Sequence, residues 1–229
     1  MIGIIAAMDS EVREIKSVME DCFKITHAGM TFFKGKLKQK EVVTVQCGIG
    51  KVNAAMCTQV LIDIFKVKAI INVGVAGAVH PDLEIGDIVI SEDSCQYDMD
   101  ARAFGHPLGE IPNMDITFFK ADKTLIKLAE EAAVGLKAPY RIGRIMTADL
   151  GVDSKAIKEK LFAEFGGLCC EMEGAAVGQV AVFNQVPYLV IRSISDQADA
   201  NLSNDYKKNL EDSIKNGVAI VLSMAQGAE

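Results

Sequence analysis

Apolar residues fall along the chain in two alternating habits. Ile2–Ala7 is a short unbroken apolar run, the pattern of a strand buried on both faces, and an amphipathic stretch at Glu11–Met19 predicts a helix after it. Thr31–Leu37 and Glu41–Gln46 predict a strand pair turned at Lys38–Lys40. Val52, Ala55, Met56, Val60 and Ile64 recur at helical spacing across Lys51–Phe65. Ala69–Val73 predicts a further buried strand that closes in a glycine-bearing turn, Gly74-Val75-Ala76-Gly77, and Asp87–Ser91 another strand. The second half continues with helices at Asp122–Val134, Ser154–Phe165, Met172–Asn184 and Asp205–Ala225, and strands at Tyr140–Met146, Leu168–Cys170 and Val186–Ile194. Strands alternating with helices predict an α/β domain with a largely parallel or mixed sheet. With no linker, repeat or low-complexity stretch in view, residues 1–229 read as one domain. The least regular part, Tyr97–Met114, carries Gly105, Pro107, Gly109 and Pro112; a loop of that length in a compact domain usually has a functional or interfacial use.

Composition narrows the setting. Of 229 residues, 50% are hydrophobic and 24% charged, enough for a sizeable core and against a disordered chain. The 24 basic and 31 acidic residues leave a net charge of −7, which gives no general attraction for nucleic acid or anionic lipid. Six scattered cysteines without a CxxC pair do not make a disulfide scaffold, and the three histidines lack the spacing of a zinc site. There is no basic leader and no apolar run long enough for a bilayer, so a soluble protein of the reducing cytoplasm is the expectation.

Ligands in open α/β sheets bind beyond the carboxyl ends of strands, so the residues after each apolar run carry the chemical information. They are Asp9 and Glu11, the run Cys47-Gly48-Ile49-Gly50-Lys51, the Gly74–Gly77 turn, Thr147-Ala148-Asp149, Glu171-Met172-Glu173, and Arg192-Ser193-Ile194-Ser195-Asp196. Each has an ordinary reading too. Glu11 suits the first turn of a helix, Asp196 a helix N-cap or turn, and Glu171 and Glu173 precede an alanine-rich helix where acids are favoured. GIGK matches neither a Walker loop nor a dinucleotide fingerprint. Arg192 is less ordinary: a guanidinium ending the run Val-Pro-Tyr-Leu-Val-Ile is costly to bury unless these carboxylates pair with it.

Six segments in order, IGIIAAMDSEV, CGIGKVNAA, INVGVAGAV with LEIGDIVIS, AFG and IP in the irregular loop, CEMEGAA, and VIRSISDQAD, make the chain resemble the methylthioadenosine/S-adenosylhomocysteine nucleosidases of the purine nucleoside phosphorylase-like superfamily. The resemblance spans nearly the whole length and implies a three-layer sandwich, a central mixed and mostly parallel sheet flanked by helices. It implies hydrolysis of the bond from adenine to a 5′-thio-substituted ribose, without cofactor or metal, in the salvage or detoxification of such nucleosides. Asp196 then matches the general acid, oriented by Ser195, and Glu11 the base that activates water. Glu173 matches the acid that holds the ribose hydroxyls, with Glu171 and Met172 on the sugar side and Arg192 positioning water and carboxylates.

The resemblance also implies an adenine loop at Asp149–Val152, with Val152 against the base, and substrate contacts from Ile49, Val75, Ala76, Gly77 and Leu150. Leu150 stands where an aromatic is usual, Val75 where a hydroxyl residue is usual, and Asn204, with Tyr206 nearby, where an apolar residue lines the 5′ pocket. A homodimer is implied, with Phe104 and Pro112 reaching the partner's site. The rival on the same fold is a phosphorylase using phosphate; Glu11 beside a dianion disfavours it, and retention of all three acids disfavours a non-catalytic nucleoside binder.

Overall fold

The computed structural model describes residues 1–114 and 116–227. One ten-stranded sheet runs through them. Its strands are β1 (Ile2–Ala6), β2 (Glu20–His27), β3 (Met30–Leu37), β4 (Lys40–Gln46), β5 (Ala69–Ala78), β6 (Ile88–Gln96), β7 (Phe119–Lys120), β8 (Tyr140–Thr147), β9 (Cys169–Glu171) and β10 (Tyr188–Asp196). The helices are α1 (Asp9–Ser17), α2 (Lys51–Asp63), α3 (Lys123–Leu136), α4 (Lys155–Phe165), α5 (Gly174–Phe183) and α6 (Leu202–Gly227). Strands β5, β10, β6, β8 and β9 close into a ring because β10 pairs with both β5 and β6; β1, β4, β3 and β2 extend the sheet from β5. The central ladders β4–β1–β5–β10 are parallel, whereas β6 runs antiparallel to β10 and the β2–β3–β4 arm is antiparallel throughout. Helices α2 and α5 pack together on one side of the sheet, and α1, α3 and α6 on the other. This is the α/β fold with a mixed sheet expected from the alternating pattern, with helices flanking the sheet as the resemblance implies. Among the described residues no helix is long and apolar enough to cross a membrane.

Three segments depart from the periodicity. β2 is absent from the sequence expectation because it is an edge strand whose side chains stay largely in water, leaving no apolar run to read. Gly74–Gly77 is not a turn: it continues β5, paired with Arg192–Asp196 of β10 across a register shift between Ile194 and Asp196. Glycine is needed there for close approach. A Cβ at Gly74 would stand 3.1 Å from Glu11 Oε1, and one at Gly77 2.7 Å from Asp196 Oδ1. β6 runs five residues past the expected Ser91, since its buried polar residues Asp93 and Ser94 hide a strand from hydropathy. Asp93 is neutralised by Arg144 and Lys120 at 2.7 and 2.8 Å, which lower its pKa against the opposing effect of burial.

Local capping fixes α3: the Asp122 carboxylate accepts from the N–H groups of Thr124 and Leu125 at 2.9 and 3.0 Å. Asp122→Ala should therefore lower unfolding free energy by about 1 kcal/mol, read as a reduced midpoint in urea at unchanged slope; an unchanged midpoint would show the cap contributes nothing.

Candidate active site

A cavity of about 420 Å³ opens where the carboxyl ends of β1, β5, β9 and β10 converge. Glu11, Ile49, Val75, Ala76, Gly77, Leu150, Val152, Glu171, Met172, Glu173, Ser195, Asp196 and Tyr206 all line it, thirteen of the residues singled out from sequence. Asn204 does not; it is exposed, because the first turn of α6 points Leu202 and Ser203 inward instead. Arg192 lies buried behind the wall, and Phe104 and Pro112 lie away from this cavity on the irregular loop. Sequence reasoning missed Ala7, Met8, Val73, Cys170, Leu202 and Ser203 as lining residues. Nothing in an apolar side chain or a lone serine marks it as a site residue; only its position at a strand end or helix start could have flagged it.

Glu11 sits in the first turn of α1 with its side chain folded back, Oε2 accepting from the Met8 N–H at 2.9 Å. It is 1% exposed, and burial pushes its pKa up to about 7 against the lowering effect of the Met8 N–H and of Arg192. Glu173 precedes α5, where Oε1 accepts from the Gly50 N–H at the start of α2 at 2.9 Å. Burial first, then the neighbouring Glu171, raise it to about 7 as well. Asp196 ends β10; Oδ2 accepts from Ser195 Oγ at 2.9 Å and Oδ1 from the Ala198 N–H at 3.0 Å, while burial raises its pKa.

Arg192 holds Glu171 and Glu173 in one frame. Its Nη2 donates to Glu171 Oε2 and, at 2.6 Å, to Asn72 Oδ1, lies 3.7 Å from Glu173, and Nη1 donates to the Ile191 carbonyl at 3.1 Å. Burial opposes its charge, yet Glu171 and Glu173 outweigh that and raise its pKa, so it stays cationic. Glu171 is fully engaged: besides Arg192 it accepts from Thr147 Oγ1 and from the N–H groups of Glu173 and Gly174 at 3.0 and 2.7 Å. Its oxygens serve the frame, whereas the freer carboxylates of Glu11, Glu173 and Asp196 face the cavity. Glu11 and Asp196 pack against different positions of β5, Gly74 and Gly77 respectively. A bond held between them can receive a proton at one end and a base-activated water at the other.

The chain has relatives over nearly its whole length. A sequence model of the phosphorylase superfamily matches residues 1–226. A 5′-methylthioadenosine/S-adenosylhomocysteine nucleosidase of Halalkalibacterium halodurans is 40% identical over 97% of this chain and 96% of its own. An aminodeoxyfutalosine nucleosidase of Campylobacter jejuni is 38% identical over 98% of both. The Neisseria meningitidis 5′-methylthioadenosine/S-adenosylhomocysteine nucleosidase in complex with methylthio-immucillin-A superposes with a TM-score of 0.96 at 30% identity, covering 99% of each chain. The fold and the carboxylate-lined cavity thus define a phosphorylase-superfamily α/β protein. Within that superfamily, the chain belongs to the family of 5′-methylthioadenosine/S-adenosylhomocysteine nucleosidases.

The raised carboxyls have a sign for stability. Below the ordinary value of 4.5 the folded and unfolded states hold the Glu11 proton alike, and the favourable contribution is complete; it is lost as pH rises through about 7. Glu11→Gln should therefore unfold at higher urea than the parent at about pH 8 and lose that advantage at about pH 5. Equal shifts at both pH values would refute a buried, proton-holding Glu11. Removing Arg192 acts oppositely: Arg192→Met leaves Glu171 and Glu173 buried without their cation and should cost about 3–5 kcal/mol, measured by urea unfolding.

Proposed function

We propose that this chain hydrolyses the N-glycosidic bond of 5′-thio-substituted adenosines, 5′-methylthioadenosine and S-adenosylhomocysteine, with 5′-deoxyadenosine as a further substrate. The products are adenine and the corresponding free sugar, a 5-thioribose from the thio-substituted substrates. The observation that carries the reading is the pair Glu11 and Asp196 lining one cavity, against Gly74 and Gly77 of β5, each shifted toward holding a proton. Asp196 donates its proton to purine N7 as the bond from the anomeric carbon to N9 breaks, and Ser195 fixes the carboxyl's orientation. Water bonds to the anomeric carbon and gives a proton to Glu11. Glu173 holds the ribose hydroxyls and its charge stabilises the cationic sugar; Arg192, paired with Glu171, keeps Glu173 in place. Met172 packs on the sugar, Leu150 and Val152 on the base, and Ile49, Leu202 and Tyr206 line the 5′ side. No step calls for a metal or cofactor.

The proposal includes a cytoplasmic homodimer, with Phe104 and Pro112 of each subunit closing the other's cavity. Phe104 is 84% exposed, an aromatic ring left in water by its own chain, and Ile49 and Leu150 at the cavity mouth are 58% and 42% exposed. The cysteines are free, as suits a reducing compartment.

An adenine-release assay over 5′-substituted adenosines and aminodeoxyfutalosine, with and without phosphate, tests the reaction. Adenine and free thioribose should form at equal rates in both conditions; a ribose 1-phosphate product dependent on phosphate would overturn hydrolysis. Asp196→Asn should lower kcat by roughly 10²–10⁴-fold while still binding nucleoside, and parent-like turnover would remove Asp196 as the acid. The base must be ionised, so kcat/KM should fall as pH drops through about 7.

A further inference from the structure

The first turn of α2 and the loop that follows β8 are joined by a closed cycle of contacts. The Lys51 N–H donates to Asp149 Oδ1 at 2.8 Å, the Asp149 N–H donates to Asp98 Oδ2 at 3.2 Å, and Lys51 Nζ returns to Asp98 Oδ1 at 2.7 Å. Lys51 Nζ also reaches Gln96 Oε1 at 3.1 Å. Each of the three residues thus touches the other two, and the sequence brings them from widely separated segments. The Lys51 and Asp98 side chains are only 18% and 22% exposed, so the ion pair is shielded well beyond an open-surface pair. The cycle borders the cavity on two sides. One residue before Lys51, the Gly50 N–H donates to Glu173; one residue after Asp149, Leu150, Gly151 and Val152 form cavity wall. The fit is tight: a Cβ at Gly50, whose φ is +99°, would stand 3.0 Å from Asp149 Oδ1.

We propose that Lys51, Asp98 and Asp149 form a positioning clamp that locks the 149–152 wall to the start of α2 and thereby sets both the wall's place and the Gly50 hydrogen bond to Glu173. None of the three is a catalytic residue; they act through Glu173 and through the wall. A clamp with reciprocal contacts opens as a unit, so breaking any side of it releases both ends. The kinetic consequence rests on the nucleosidase reading, while the clamp itself does not.

The test compares Asp149→Ala, Asp98→Ala, their double variant and Asp149→Asn by amide hydrogen exchange and by steady-state kinetics on 5′-methylthioadenosine. Either alanine variant should speed exchange in both segments 48–52 and 148–152 by about 10-fold or more. Each should raise KM and lower kcat together, each by roughly 10-fold, and the double variant should be no worse than the more severe single. Asp149→Asn keeps the Oδ1 acceptor and should recover to within about threefold of the parent. Faster exchange confined to one segment, losses that multiply in the double variant, or a lower melting temperature with KM and kcat intact would each overturn the clamp. If the parent releases no adenine from any nucleoside, the proposed reaction fails, and the exchange measurement still decides the clamp.

Discussion

Burying the Arg192 guanidinium in the middle of a ten-stranded sheet is the constraint from which the rest of the site follows. A lone cation there would be prohibitively costly, and the structure offsets it with the Asn72 side chain, the Glu171 carboxylate and the approach of Glu173. Satisfying Arg192 fixes β5, β9, β10 and the start of α5 relative to one another, because those elements supply its partners. Glu171 extends the frame by accepting from Thr147 and from two N–H groups at the start of α5. The helix start that would otherwise carry unsatisfied donors is thereby closed by the same carboxylate that neutralises the arginine.

The frame leaves carboxylates over, and these face the cavity. Three further carboxylates share one cavity with too few cations to ionise them all cheaply. Burial accordingly pushes Glu11 and Glu173 to about 7 and raises Asp196. These raised values come from burial rather than from any special residue type. Gly74 and Gly77 make the crowding possible, since each strand position gives up its side chain so that an acid can lie against the backbone. Cys47, close to the same acids, is pushed up to about 12 by burial and then by Glu173, and stays an inert thiol.

Much of this was legible beforehand, for identifiable reasons. Runs such as Ile2–Ala7 and Val186–Ile194 are apolar because both faces of their strands are covered, and the acids just beyond them could be flagged because strand ends meet in space. Arg192 stood out because its cost in such a run demanded partners. Other features gave no signal. β2 is an exposed edge, β6 carries buried Asp93 and Ser94, and Gly74–Gly77 reads as a turn when the reason for its glycines lies on α1 and β10. Asn204 and Leu202 are two residues apart, and only the start of α6 decides which faces the cavity.

By itself the sequence determined the alternation of strands and helices, the family, and the list of acids placed at strand ends, since periodicity, residue chemistry and motif order are properties of the chain. The tertiary structure alone decided how those acids differ. Glu171 and Glu173 are near neighbours in one motif, yet one is consumed by four donors and the other is free to face the cavity. That difference is set by Arg192, Thr147 and Gly50, which come from distant parts of the chain. Protonation and reactivity depend on burial and on such three-dimensional neighbours, and neither is written in local sequence.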